Sequence, residues 1–364
     1  MVNSKTPFVR IAKKNEVFGW KLGLITVISF LLALVTGGIF VAALGKNPFA
    51  VYASIINGAF RSKIAIQGTV KVLVPLLITS LGVIFAFKMK FWNIGAEGQI
   101  IMGAIFASFF ALFCSGLPKL ILIPLMFVAG IIGGGIWALI PAFFKTKFGT
   151  NETLFTLMLN YIALYFIRYF AEGPWRDPSS SGFPKIASFE ESARLPRVFG
   201  VHAGWIIAIL LVVAVYIYMK YTKHGYEISV IGESEKTAQY AGMSVKKIIM
   251  RTIFISGAVC GIAGMVQVSG AAYTLGEGVA GGVGFTAIIV AWLARLNPII
   301  CVIVSLLFAI LQKGCSVMQS TFGLSPAVSD VLQGIILFFV LGGEFFAHYK
   351  LVFRNGGRKN DTAN

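Results

Sequence analysis

The chain has 364 residues, 57% of them hydrophobic and only 12% charged, with a mean hydropathy of +0.84. A soluble domain of that length cannot hide so much apolar surface, and the alternating segments of about 10 residues that build a membrane barrel are absent. The net charge of +17 does not point to nucleic acid, because the basic residues sit in short flanks between apolar runs, as the positive-inside bias requires.

The pattern predicts an all-α polytopic membrane protein of about ten transmembrane helices with both termini cytosolic. Residues 1–21 form a basic tail with Lys5, Arg10, Lys13, Lys14 and Lys21, and the first span runs over about 20–44. That run is too long for the apolar region of a signal peptide. A mixed stretch, 45–68, is expected at the outer surface. The second span covers about 69–87, a third follows the FWNIGAEGQ motif and runs to about 114, and the fourth and fifth cover about 118–144 and 152–171. An external loop, 172–203, follows, with four basic and four acidic residues from Glu172 to His202. The sixth span, about 204–221, leads into a cytosolic loop, 222–251. The seventh covers about 252–272, the eighth about 285–295, the ninth about 299–314 and the tenth about 328–346. The tail 347–364 is again basic. Ten spans put every strongly basic connection on one face. Gly130/Gly134 and Gly257/Gly261 have the small-xxx-small spacing that lets membrane helices approach closely.

Two glycine- and acid-bearing interruptions break the apolar sequence. The first is Phe91-Trp92-Asn93-Ile94-Gly95-Ala96-Glu97-Gly98-Gln99, and the second runs from Tyr273 to Gly284 with Glu277 at its centre. A carboxylate at membrane depth is costly unless it is paired or lines water. The first interruption is therefore read either as a helix break on a pathway or as a tight interfacial turn. The two are oppositely oriented in the predicted topology, which suggests inverted repeat halves at 69–171 and 252–346. Asn93, Glu97, Gln99, Asn160, Gln267 and Glu277 are the candidate pathway residues for a polar solute. Gln67, Gln312, Gln333 and Asp330 are further polar residues in or near spans.

No catalytic or metal-binding constellation is found. Cys114, Cys260, Cys301 and Cys315 lie in apolar segments without ligand spacing, and no GxxxxGK[ST] phosphate loop exists, so an enzyme is not expected. Any ATP hydrolysis must come from another chain. The stretch from His224 to Arg251 is the counterpart of that absence. It is charged between apolar neighbours, and a short helix is expected over Ser234–Ala241, between Gly232 and Gly242. About two turns of helix are not stable without a partner.

The segment GYEISVIGESEKTAQYAGMSVKKI resembles the cytosolic motif of permease subunits of bacterial ABC importers, in the branch serving branched-chain amino acids, ribose and nucleosides. Gly225, Gly232, Ala238, Ala241 and Gly242 match, whereas Val230, Ser234 and Met243 replace the usual Ala, Asn and Ile. FWNIGAEGQIIMGA, NETLFTLMLNYIALY with GPWRDP, and ARLNP at 294–298 resemble the nucleoside-type permeases. The resemblance covers about 70–345. It implies one permease domain over 1–364 that pairs with a second, related permease or with itself, the heterodimer being favoured, and a cytosolic ATPase that binds ATP and Mg while this chain binds no cofactor. It also implies a surface lipoprotein that delivers substrate. Gly232, Ser234, Ala238, Ala241 and Gly242 would couple to the ATPase. Purine nucleosides are the implied substrate class, with riboflavin or a sugar as alternatives. An ion-coupled secondary transporter, using Glu97 or Glu277, is the rival class.

Overall fold

The computed structural model describes residues 9–13, 19–180 and 182–353. The tail residues Lys5, Lys14, Arg354, Arg358 and Lys359 lie outside the described residues. Two compact units form, one from residues 1–54 with 315–364 and the other from 55–314.

In the first unit, α1 (Gly19–Ala43) packs with α13 (Pro326–His348), and β1 (Val9–Lys13) pairs antiparallel with β4 (Tyr349–Phe353). Ser325 caps α13 by accepting from the Ala327 amide at 3.4 Å. Tyr52, on α2 (Pro48–Phe60), donates its hydroxyl to the Leu34 carbonyl of α1 at 2.6 Å. The mixed stretch 45–68 is thus mostly helical.

The second unit holds α3 (Lys63–Lys88), α4 (Ala96–Phe113), α5 (Lys119–Phe148), α6 (Glu152–Glu172), α7 (Gly204–Tyr221), α8 (Lys223–Glu233), α9 (Glu235–Tyr240), α10 (Val245–Val266) and α11 (Val283–Leu293). A further long helix, α12 (Pro298–Phe322), begins here. The core lies where α3, α4, α5 and α10 meet, and α3 and α10 are the most buried of the long apolar helices. Small residues make that contact possible. A Cβ on Gly134 would strike the Gly257 carbonyl, and one on Gly103 would strike Gly261. The expected close approach at Gly130/Gly134 and Gly257/Gly261 is therefore a crossing of α5 and α10, with α4 completing the triad.

All ten expected apolar segments are helical. Among the described residues, seven helices are long and apolar enough to cross a membrane, and an eighth span results if the bent pair Val27–Ala43 and Pro48–Phe60 is one. The expected ten spans are not all full ones. With 11 residues α11 is about 16 Å long, roughly half of a hydrocarbon core of about 30 Å.

The connection from α6 to α7 is folded onto the helices, not splayed from them. It carries β2 (Arg197–Val198) paired with β3 (Val201–His202). The Phe189 amide donates to the Tyr273 carbonyl at 2.7 Å and the Leu195 amide to the Ser269 carbonyl at 3.0 Å. Ser269 returns a bond to the Ala193 carbonyl at 2.6 Å. These bonds hold the loop on the end of α10, where the helix widens into a π turn over Gln267–Ala272 and Tyr273 adopts φ +56°.

Candidate functional site

The first interruption follows the end of α3. Lys90 takes the left-handed conformation (φ +58°), and the Phe91 amide reaches back to the Ala86 carbonyl at 3.0 Å, which closes α3. The chain then turns, with the Asn93 amide donating to the Phe91 carbonyl at 2.9 Å, and α4 begins after Gly95. The first amides of any helix lack intrahelical partners. Here they find them in trans: Asn160 of α6 accepts from the Gly98 amide at 2.8 Å and donates to the Ile94 carbonyl at 3.0 Å. Thr156, one turn earlier on α6, accepts from the Ile94 amide at 3.1 Å.

Asn93 accepts from the Gly95 amide at 2.9 Å and exchanges two bonds with the Gln99 side chain at 3.2 and 3.3 Å. Asn93, Gln99 and Asn160 are 0%, 1% and 6% exposed. Three of the six candidate pathway residues therefore form one buried amide cluster, and their hydrogen bonds are to each other and to the backbone. The interruption is a helix break built into the core.

Glu97 joins this break to the second one. Its Oε1 accepts from the Gly282 amide at 2.8 Å and its Oε2 from the Gly284 amide at 2.7 Å. Those amides open α11, so the carboxylate sits on the positive end of a half-length helix. Gly284 is needed for this approach, since a Cβ there would collide with the Glu97 backbone.

The remaining two candidates stand apart. Gln267 is half-buried at the start of the π turn. Glu277 is exposed and makes a bidentate pair with Arg168 of α6, at 2.8 and 2.9 Å. Arg168 was not singled out in the sequence, although a lone arginine in an apolar segment signals a nearby acid. Another such pair, Lys145–Glu152 at 2.8 Å, pins α5 to the start of α6. A cleft of about 570 Å³, lined mainly by apolar side chains of α3 and α7 such as Val70, Leu73 and Trp205, contains none of the six candidates.

The expected short helix is present as α9. Ser234 caps it by accepting from the Thr237 amide at 3.2 Å, and Gly242 ends it at φ +76°. The five candidate coupling residues divide between two faces. Gly232 and Ala238 are buried within the chain, and the Gly232 Cα lies directly against the Lys88 carbonyl, where a Cβ would overlap it. Small Ala238, expected to admit a partner, thus packs against its own chain. The outward face carries Ala241, Gly242 and Tyr240, which is 92% exposed and was not anticipated. A six-residue helix has too few turns for periodicity to reveal its inner side.

The preceding α8 is tied to α10. Glu227 accepts from Arg251 at 2.8 Å and lies 3.3 Å from His224 Nδ1. The Arg251 guanidinium holds the Glu227 carboxyl below the usual carboxylate range.

Broken helices that meet through a single carboxylate, inside a bundle whose apolar helices are long enough to cross a bilayer, define a multi-pass membrane translocation subunit. The profile of the branched-chain amino acid transport system permease component family matches residues 64–341, and the chain belongs to that family. It is accordingly an ABC-transporter permease of the cytoplasmic membrane.

The chain is 32% identical to the glucose ABC transporter permease protein TsgB13 of Haloferax volcanii, over 92% of its own length and 91% of that protein. It is 31% identical to the guanosine ABC transporter permease protein NupP of Bacillus subtilis, covering 94% and 98% of the two chains. It is 30% identical to the nucleoside ABC transporter permease protein NupB of Lactococcus lactis, covering 87% and 90%.

Proposed function

We propose that this permease carries a purine nucleoside inward by alternating access, driven by a cytosolic ATPase that seats α9. The observation that carries the coupling is the contact of Gly232 with the Lys88 carbonyl. Lys88 ends α3 and leads within five residues to Asn93, so a push on α8 and α9 bears on the turn that holds the amide cluster and Glu97. Tyr240, Ala241 and Gly242 face the ATPase, Ser234 holds the helix formed, and Gly232 and Ala238 transmit its movement. The loop 222–251 and both termini are cytosolic in this reading, and 172–203 is external.

Asn93, Glu97, Gln99, Asn160, Gln267 and Glu277 flank the translocation route. Their bonds exchange between protein and solute as the breaks at Gly95 and Gly282 rearrange, and weak, scattered contacts favour release. The halves 69–171 and 252–346 act as inverted repeats. A second permease completes the pathway, ATP and Mg are bound by the ATPase, and a surface lipoprotein presents the substrate. The permeases named for guanosine and nucleosides support the substrate class. A sugar is the second reading, favoured by the relative named for glucose.

The test is uptake of radiolabelled guanosine and glucose by cells expressing the transporter. Guanosine uptake abolished by ATP depletion and insensitive to an uncoupler is expected, and the reverse pattern would indicate an ion-coupled carrier. Saturable glucose uptake without guanosine uptake would move the substrate to sugars. Gly232→Ala forces a methyl group against the Lys88 carbonyl, an overpacking of about 1–3 kcal/mol. It is expected to lower uptake steeply with the complex still assembled, and full uptake by the variant would remove the coupling route.

A further inference from the structure

The membrane face that carries α8 and α9 holds a second feature. A pocket of about 400 Å³ opens between the ends of α3, α7 and α11 and the start of α12, lined by Lys88, Lys220, Arg295, Tyr216 and Asn297. Among the described residues, three basic side chains line it and no carboxylate does. Lys88 and Lys220 enter none of the ion pairs among the described residues. Lys220 is steered by the Tyr216 hydroxyl at 3.0 Å and lies over the Tyr216 and Tyr221 rings.

Two observations favour lipid headgroup level for this pocket. Trp92 and Trp292, four residues after Lys88 and three before Arg295 in the chain, stack at 5.7 Å, and indoles of this kind collect at the membrane interface. An exposed apolar stripe, Ile209, Val213 and Ile217, climbs α7 at helical spacing and ends at Lys220. A soluble anion has no use for that stripe, whereas acyl chains fit along it.

We propose that the pocket binds an anionic phospholipid, with its phosphate among Lys88, Lys220 and Arg295 and its acyl chains along the α7 stripe. The helix C-termini that converge there draw cations but carry only partial charge, about half a unit each, and the capped start of α12 at Asn297 opposes them. Lys88 and Lys220 alone leave the cradle net positive. Lys88 is also the residue whose carbonyl receives Gly232, so the headgroup sits on the turn that α8 presses.

The experiment uses the full chain purified in detergent, with phosphatidylglycerol, phosphatidylcholine and inorganic phosphate added separately. Retained lipid is read by native mass spectrometry and stability by thermal melting. Phosphatidylglycerol is expected to be retained and to raise the melting temperature, with neither effect from phosphatidylcholine. The triple variant K88Q/K220Q/R295Q is expected to lose at least roughly tenfold in phosphatidylglycerol affinity. The charge-keeping variant K88R/K220R keeps it and shows that the fold tolerates change there. Lys185→Gln, on the opposite loop, leaves binding unchanged.

Equal retention of both lipids, or a triple variant that binds like the parent, overturns the proposal. Stabilisation by inorganic phosphate alone, equal to that by phosphatidylglycerol, would reassign the pocket to a free anion. Loss of binding in the Lys185→Gln variant would reduce the effect to net charge.

Discussion

Glu97 and Glu277 look alike in the sequence. Each is flanked by small residues, each lies in a break between apolar segments, and the two breaks run in opposite senses. In the folded chain they do different work. Glu97 is largely enclosed and holds two amides of a distant helix start, Gly282 and Gly284. Glu277 is exposed and holds a guanidinium. A buried carboxylate on orphan amides is part of the architecture, because removing it leaves the donors without partners. An exposed ion pair is screened by water and can be exchanged cheaply. Similar placement along the chain therefore does not mean similar energetic weight.

Glu97→Ala is the strongest way to break the comparison. It strips the acceptors from both amides at the start of α11, and a loss of about 3 kcal/mol in stability is expected, since each buried orphan donor costs about 1–3 kcal/mol. Uptake should vanish with it. Thermal melting of the purified chain measures the first, and Glu97→Gln, which keeps one acceptor, should fall between parent and alanine. An unchanged melting temperature in both variants would mean that the amides find other partners.

The contrast extends to what each break leans on. The first is supported by amide side chains, and Asn160→Ala leaves the Gly98 amide and the Ile94 carbonyl unmatched, for about 2 kcal/mol. The second is supported by the loop between α6 and α7, through the π turn. There His202 is 1% exposed against Gly270, and neither ring nitrogen has a hydrogen-bond partner.

Burial, with Lys71 adding to it, pushes the His202 pKa down to about 4. The folded chain keeps this imidazole neutral down to about that pH, whereas the unfolded chain takes up a proton near 6.5. Stability is unaffected above pH 6.5 and falls as pH drops from there towards 4. A decline of about 2 kcal/mol between pH 7 and pH 5 is expected from this residue. His202→Gln should flatten that part of the melting profile, and a slope unchanged by the substitution would show that other groups set it.

How much of this was legible in the chain follows from the range of each interaction. The ten apolar segments and the capped helix α9 are local, so composition and the Ser234 and Gly242 positions reveal them. The glycine crossing of α5 and α10 was legible as spacing at Gly130/Gly134 and Gly257/Gly261, though not as a pairing. The bond from Glu97 to Gly282 spans 185 residues and leaves no local trace. Arg168 did leave a signal, a single cation in an apolar run, and its partner could be sought only among acids on the same face. The inward side of Ala238 was hidden because one and a half turns have no readable period. The loop 172–203 reads as polar and external, yet Ile186, Phe189, Ala193 and Leu195 are buried, and its backbone bonds to Tyr273 and Ser269 are invisible in side-chain pattern.

The smallest expected effect is the one that sharpens the comparison most. Glu277→Gln removes the charge facing Arg168 but keeps an acceptor at the same position. Because both partners are about half exposed, water replaces the lost attraction, and no resolvable change in melting temperature is expected. Uptake then separates structure from transport. If Glu277 and Arg168 form a latch between α6 and the segment before α11 that must open in each cycle, weakening it should raise uptake slightly and make it less sensitive to salt, with stability untouched. If Glu277 meets the solute, uptake falls while stability again stays constant. Arg168→Gln distinguishes the two: a latch responds to either substitution in the same direction, whereas a solute contact at Glu277 alone is spared when only the arginine is changed.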